Sequence, residues 1–460
     1  MGMRKYTVLG PSIRKKKKCN FIFLLCCIVL LIVLSAKESF ALPVFARKYH
    51  TACATCHIAF PVRNGFGEAF RNNGYRFPDE ADEEMVKEEP IKLGQEAYKD
   101  VFPMAIWPSD LPNMPSLGFV AKSGATMQKN PTPDKYRGNY KDVLMNTEVD
   151  MFFSGTITRQ LSYIGDLAFD GGTSGGDAAS TTLGRLQFVW TFKPGLSIAW
   201  GTVGFPEQFD LISTRAGTDL NGYAASLPNP NRGVELRIAG NTGTTGGYSL
   251  LAGIGRNSET GTSDAVSGNI GDTRFIRATY KIGGNGLLSG VGGTYGVQAI
   301  GLDNSVTFGI NYVNSGQGVS TDSEDMIAGL TKTAYSGDVR VNYGPLRAVS
   351  QYTRFNEVLM PDGDGTLNYG KRTALSLEAD YWEFPWLFGV VRYEHLQDDL
   401  NGKIEKIISG VGALIRANFK IGIEYVAVTK TSGSDQSEID RVTAFETAGN
   451  SINLYTQVGF

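Results

Sequence analysis

From about Leu117 to Phe460 the chain runs in short segments of alternating apolar and polar residues, separated by turns rich in Gly, Asn, Asp and Ser. A two-residue period belongs to β-strands, because successive side chains point to opposite faces. Val234, Leu236 and Ile238 oppose Glu235 and Arg237. Ile276, Ala278, Tyr280 and Ile282 oppose Arg277, Thr279 and Lys281. Val339, Val341 and Tyr343 oppose Asp338, Arg340 and Asn342, and Leu375, Leu377, Ala379 and Tyr381 oppose Ser376, Glu378 and Asp380. No long apolar run interrupts this stretch, so helical membrane spans are excluded.

Two architectures alternate in this way, a soluble sandwich and a transmembrane barrel. Connection lengths favour the barrel. Short turns recur at Arg159-Gln160, Lys193-Pro194-Gly195, Gly344-Pro345, Glu383-Phe384-Pro385 and Asn418-Phe419. Longer polar loops lie between them, at 204–232 and 356–371. Short periplasmic turns and long extracellular loops are the plan of an outer-membrane barrel. Trp190, Trp200, Trp382 and Trp386 lie near two of the short turns, where an interfacial aromatic girdle belongs. The last segment, Ser451–Phe460, places Ile452, Leu454, Val458 and Phe460 on one face and resembles a closing outer-membrane strand. The fold class is therefore all-β: an antiparallel transmembrane barrel over 116–460, preceded by a small α-helical domain. The length accommodates about sixteen strands. Parity slips between Gly283 and Ala334, where two connections read as short and one as long, so fourteen and eighteen stay open.

The N-terminus reads as an export signal. Arg14–Lys18 supply five positive charges, Phe21–Leu34 is a 14-residue apolar run, and Ser39-Phe40-Ala41 offers a small-x-small cleavage site. The run falls short of the ~20 residues needed to span hydrocarbon. Cleavage after Ala41 removes eight basic residues and one acidic residue, leaving 36 basic and 45 acidic. That balance excludes the basic field of a nucleic-acid-binding protein.

Residues 42–115 differ in texture. They hold eight of the eighteen prolines, His50 and His57, and Cys53 and Cys56. The other three cysteines, Cys19, Cys26 and Cys27, fall in the signal segment. Cys53-Ala54-Thr55-Cys56-His57 is the C-x-x-C-H attachment signature of a c-type haem: two thiols add to the vinyl groups and the adjacent histidine ligates the iron. Export suits it, since covalent attachment is expected outside the reducing cytoplasm. Zinc is a poor alternative, because Cys56 and His57 are adjacent and His395 lies far along the chain. A redox dithiol needs a βαβ setting that is absent. Phe66, Ala69 and Phe70 share one face of a short helix that Gly74 ends, and that face is expected to cover the porphyrin. Candidates for the second axial ligand are Met114, Met104 and His50, a methionine giving the higher potential.

Other features have plainer readings. The acidic run 79–89 is a solvated face before it is a docking site. Asp362-Gly363-Asp364-Gly365 lacks the remaining spacing of a calcium loop. The loop 205–232 follows the fifth expected strand, where porins fold a loop into the lumen. Glu235, Asp338, Glu378 and Asp380 are expected to face lumenal water, where they offer weak sites for Fe(II).

The run Phe45-Ala46-Arg47, Cys53–His57, Phe60-Pro61 and Gly65-Phe66-Gly67-Glu68-Ala69-Phe70-Arg71-Asn72-Asn73-Gly74-Tyr75, placed ahead of a barrel, resembles the fused outer-membrane monohaem cytochrome–porins best known from iron-oxidising bacteria. The resemblance implies one covalently bound haem c on Cys53 and Cys56 with His57 as proximal ligand. It implies a cytochrome on the periplasmic side or in the barrel lumen. It implies electron flow from extracellular Fe(II) to periplasmic carriers such as a cytochrome c; independently, the absence of any triad or phosphate loop in the sequence suits outer-sphere electron transfer, which needs no acid–base pair. The sequence thus supports two readings: a one-haem electron conduit, and a solute porin whose cytochrome segment is a plug or sensor.

Overall fold

The computed structural model describes residues 44–49, 51, 53–59, 62–77, 101, 116–129, 141–158, 160–173, 180–203, 232–256, 273–288, 303–315, 331–361, 367–399, 402–416, 418–432 and 450–459. The expected signal segment 1–41, His50, Met104, Met114, the run 79–89, the loop 204–231, Asp362–Gly365 and Phe460 lie outside the described residues.

The N-terminal part contributes α1 (Val44–Tyr49), a 3-10 turn (Cys53–Thr55), a small hairpin of β1 (His57–Ala59) and β2 (Val62–Arg63), and α2 (Gly65–Asn72). Sixteen longer strands follow. They are β3 (Ser116–Lys129), β4 (Lys141–Thr156), β5 (Leu161–Thr173), β6 (Ser180–Lys193), β7 (Leu196–Gly201), β8 (Arg232–Asn241), β9 (Gly247–Arg256) and β10 (Thr273–Gly283). Then come β11 (Ser305–Ser315), β12 (Thr331–Tyr343), β13 (Leu346–Pro361), β14 (Leu367–Phe384), β15 (Leu387–Asp398), β16 (Gly402–Arg416), β17 (Phe419–Ser432) and β18 (Ser451–Gly459). Each pairs antiparallel with its sequence neighbours, and β18 closes the barrel on β3 in the register Ser451↔Gln128 to Gly459↔Val120. Closure leaves no strand edge whose unpaired N–H and C=O groups would meet lipid. The strand number is sixteen, with β3 starting and β18 ending at the short-turn end.

Two connections differ from expectation. Between Gly283 and Ala334 there are two connections, 284–304 and 316–330, and both are long. The first lies at the short-turn end, and its described residues dock the N-terminal segment rather than reversing the chain tightly. The expected loop 356–371 is mostly ladder: β13 and β14 stay paired from Val358↔Gly370 to Pro361↔Leu367. Backbone hydrogen bonds carried this hairpin beyond the point where side-chain alternation marks a strand.

The outward face is a belt of apolar side chains. Ile276, Ile282, Ile310, Val391, Val411 and Ile423 are all exposed, while the residues between them are covered. So continuous an apolar girdle on a closed barrel is the surface of a transmembrane protein. In β18, Leu454 is exposed while Ser451, Asn453, Tyr455 and Gln457 are buried, as the closing-strand pattern predicts. Trp200 and Trp386 face outward, and Trp386 stacks on Phe384 with centroids 5.5 Å apart. Trp382 does not join the girdle. It is 4% exposed, faces inward, and packs on Val62 of β2 together with Phe388 and Val390.

The interior corrects one expectation. Glu235, Asp338, Glu378 and Asp380 do point inward, but each is buried rather than open to lumenal water. Arginines answer them: Arg237 bonds Glu235, Arg277 bonds Asp338 in a fork of 2.7 and 3.0 Å, and Arg347 reaches Asp380 at 2.5 Å. Arg392, itself fully buried, lies 3.3 Å from Glu378 and 2.8 Å from Glu394. Buried carboxylates require such partners, because an unpaired charge in low dielectric is very costly. Groups already bonded to guanidinium are poor Fe(II) ligands. A further inward cluster is apolar: Val203, Leu251, Phe275, Val313, Phe355, Leu396 and Ile404 meet mainly near strand ends opposite the short turns.

Candidate functional site

The C-x-x-C-H run sits in a segment that reaches the barrel wall from several sides. Ser162 of β5 donates to the Gly74 carbonyl at 2.7 Å, and Arg76 donates to the Thr158 carbonyl in the β4–β5 turn at 2.7 Å. Asn72 donates to the Leu287 carbonyl at 3.1 Å, and Arg340 of β12 reaches Glu68 at 3.3 Å. Ile58 and Val62 pack against Trp382, Phe388 and Val390 on β14 and β15. The described residues of the segment therefore pack against inward-facing side chains at the short-turn end of the barrel.

Local chemistry explains how the segment holds its shape. Asn64 caps α2 by accepting from Gly67 N at 2.9 Å. The same side chain donates to the Thr55 carbonyl at 3.0 Å, and its backbone N–H donates to the Cys56 carbonyl at 3.0 Å. One residue thus ties the helix start to the turn carrying both cysteines. Thr51 and Thr55 share a hydroxyl bond of 2.7 Å across the same turn. At the other end of α2, Gly74 N–H bonds the Arg71 carbonyl and Tyr75 N–H the Phe70 carbonyl, each at 3.0 Å. This is a Schellman cap, and Gly74 takes the left-handed conformation it demands (φ 73°).

The helix itself is where the 3.6-residue period placed it. Phe66, Ala69 and Phe70 are buried on one face. That face packs against Tyr49 and Phe77, with Phe45, Cys56 and Tyr75 around it. Tyr49 and Phe77 meet edge-on with centroids 4.5 Å apart, and Phe45 stacks flat on Tyr75 at 5.6 Å. The aromatic cluster holds the cysteine turn through Cys56 at its edge.

Cys53 and Cys56 lie at the two sides of that turn, with Cys56 N–H bonded to the Cys53 carbonyl at 3.1 Å. They are free thiols, half-buried, and His57 follows at the start of β1, also half-buried. Burial pushes the Cys53 thiol up to about 11, against a smaller opposing pull from its own backbone hydrogen bond. Burial, with Cys53 beside it, pushes Cys56 up to about 12. The donor set fits a haem: two cysteines not joined by a disulfide, three residues apart and neither fully enclosed, with an imidazole next in the chain. Cys53 and Cys56 would hold the ring edge and His57 the iron.

Two residues essential to this arrangement were not picked out from the sequence. One is Asn64, whose signal is an Asn immediately before a helix start. The other is Gly67: a Cβ there would stand 2.2 Å from the Cys56 carbonyl oxygen, so only glycine lets α2 approach the turn this closely.

Beside the segment, a cavity of about 80 Å³ lies between α2 and the wall strands β8–β12. Arg71, Arg237, Arg277 and Arg340 line it, with Glu68 and Asp338. A second cavity of about 30 Å³ adjoins it, sharing Glu68 and Arg340 and reaching Arg63 and Ile58. Burial acts to raise the Glu68 carboxyl, but Arg63, Arg340 and Arg71 outweigh it and hold the group well below the usual carboxylate range.

No protein-family model matches this chain, and no curated protein matches it. Among solved structures it is similar to the outer membrane channel DcaP of Acinetobacter baumannii, at 12% identity and a TM-score of 0.43, covering 75% of this chain and 97% of that one. It is similar also to OmpF of Salmonella typhi in complex with daunomycin, at 13% identity and a TM-score of 0.45, again covering 75% and 97%. A mutant of the Rh. blastica porin aligns at 10% identity and a TM-score of 0.42 over 75% of this chain and all of that one.

Proposed function

We propose that this protein is an outer-membrane electron conduit, moving single electrons between an extracellular couple, foremost Fe(II)/Fe(III), and periplasmic carriers. The observation that supports it is the position of the Cys53–Cys56–His57 turn within the short-turn end of a closed transmembrane barrel. Hydrocarbon about 30 Å thick insulates one side from the other, and a redox group inside the wall shortens that gap. A haem held there supplies a one-electron Fe(III)/Fe(II) couple. The chain's own residues do the rest. Cys53 and Cys56 tether the group, and His57 ligates it. Asn64 and Gly67 fix the turn, and the strands keep lipid away. Electron transfer of this kind needs no acid–base pair. A soluble cytochrome c is the fitting periplasmic partner.

A second reading has one observation in its favour. A barrel of sixteen strands is wide enough for solutes, and the plug leaves cavities against the wall. In that reading the protein is a solute channel and the N-terminal segment is its plug or sensor. Reconstitution into liposomes separates the two. The conduit predicts that Fe(II) added outside reduces the haem band while an entrapped solute stays inside. Solute efflux with a haem band indifferent to external iron would favour the channel.

A further inference from the structure

We propose that the outward face of β13–β17, toward the end opposite the short turns, binds the phosphorylated headgroup of a glycolipid in the outer leaflet of the membrane. The inference is independent of the haem. It rests on where the outward charges of this sector stand.

Nearer the short turns the outward face is uncharged. Tyr352, Leu377, Val391, Ile407, Val411 and Ile423 are exposed on it, as contact with lipid requires. Farther along, the same face changes character. Arg354 follows Tyr352 on β13, between the buried Thr353 and Phe355. His395 of β15 lies between the buried Glu394 and Leu396, and Lys403 and Glu405 of β16 flank the buried Ile404. Pairing across the strands groups them: His395 stands opposite Glu405, and Glu405 opposite Lys430 of β17.

Their height is that of lipid headgroups. From Phe419 to Lys430, β17 climbs about 26 Å at ~3.3 Å per residue and a ~45° tilt. The apolar band of such a barrel is about 25 Å tall. On the same measure Arg354 and His395 stand about 19 Å above the first residues of β13 and β15, and the long arginine stem carries its guanidinium farther toward water. Tyr352 and Tyr393, two positions below them on the same face, mark the boundary as an aromatic girdle does.

The charge there is unbalanced. Glu405 is bonded by Lys403 at 2.6 Å and lies 3.5 Å from His395 Nδ1. Among the described outward side chains at this level, that one carboxylate faces three cations, Arg354, Lys403 and Lys430. The Nε of Arg354 has no hydrogen-bond partner. One step farther out, Lys371 and Asp399 add one charge of each sign. At the short-turn rim of this sector Glu383 and Arg416 balance, and the aromatic pair Phe384 and Trp386 stands beside them. Clustered cations at the membrane surface attract anionic lipid.

Spacing selects the kind of anion. Along Arg354↔Thr373↔Gln397↔Lys403, three strand separations of ~4.8 Å put Arg354 about 14 Å from Lys403. One small anion cannot meet both. A sugar headgroup bearing two phosphates can, with its acyl chains lying on the apolar belt. The guanidinium fork meets a phosphate with two parallel N–H···O bonds.

The test uses full-length protein, purified in a non-ionic detergent as wild type, as the double variant Arg354→Gln/Lys430→Gln, and as Lys193→Gln, which removes an exposed cation at the short-turn end. Folding is checked by heat-modifiable gel mobility. Native mass spectrometry then follows titration with lipid A carrying two phosphates, with the same lipid stripped of phosphate, and with inorganic phosphate as competitor. Wild type and Lys193→Gln should each take one phosphorylated lipid tightly. The double variant should bind it about tenfold or more weakly, and wild type should discriminate against the stripped lipid by a similar factor. Inorganic phosphate should not displace the lipid. Equal affinity in the folded double variant overturns the proposal. So does equal affinity for the stripped lipid, which would mean that acyl chains alone are held. Displacement by inorganic phosphate overturns it in favour of a site for soluble anions. If the double variant does not fold, the comparison of the two lipids on wild type decides alone.

Discussion

Glu68 carries the ion pair by which the N-terminal segment meets the wall at β12. Its side chain is 15% exposed and is held by Arg63 of β2 and Arg340 of β12. A carboxyl whose folded pKa is depressed contributes stability above its unfolded pKa and loses it as pH falls toward the folded value. Docking of α2 should therefore be constant through neutral pH and weaken only in acid, below the usual carboxylate range. Glu68→Gln should loosen the plug by about 2 kcal/mol at neutral pH and abolish that acid dependence. Amide hydrogen exchange along α2, followed against pH in both proteins, reads both effects. Gly67→Ala acts on the attachment turn directly. Relieving a 2.2 Å approach to the Cys56 oxygen should cost about 1–3 kcal/mol, and haem yield per folded chain should drop severalfold by haemochrome assay. Neither role follows from residue type. A glutamate after Gly-Phe-Gly reads as an exposed helix residue until Arg340, 272 positions along the chain, is brought beside it.

At the scale of elements, the sequence was most informative where one period governs. The alternation in β8, β10, β12 and β14 assigned each inward and outward side chain correctly, and the i, i+3, i+4 pattern located α2 and its glycine stop. What it could not assign was the environment of the inward face. Strand alternation says that Glu378 and Asp380 share a side; it does not say that Arg347 and Arg392 lie on that side across the register. Nor does it say that Trp382 faces a plug. The connection 284–304 escaped for a similar reason: among its described residues, Leu287 and Asn285 meet α2. The caps of α2 give the prediction at this scale. Asn64→Ala removes the N-cap and the Thr55 anchor together and should cost about 1–2 kcal/mol. Gly74→Ala forces a Cβ into a left-handed residue and to 2.6 Å from the Thr191 hydroxyl, and should cost at least about 1 kcal/mol. Urea titration of aromatic fluorescence compares both with wild type.

Across the whole molecule, the barrel is a closed, lipid-facing cylinder whose lumen is occupied at the short-turn end by its own N-terminal segment. Removing residues 42–77 from the mature chain should raise single-channel conductance in planar bilayers well above that of the intact protein. An unchanged conductance would mean that the plug does not limit the pore. The central claim is that this plug carries one haem on Cys53 and Cys56 inside that cylinder. The direct measurement is haem stoichiometry by pyridine haemochrome on the folded barrel extracted from outer membranes, for wild type and for Cys53→Ala/Cys56→Ala. One haem per wild-type chain, surviving denaturation, and none in the double variant is the predicted result. A folded wild-type barrel without covalent haem, or a double variant that keeps it, would contradict the account.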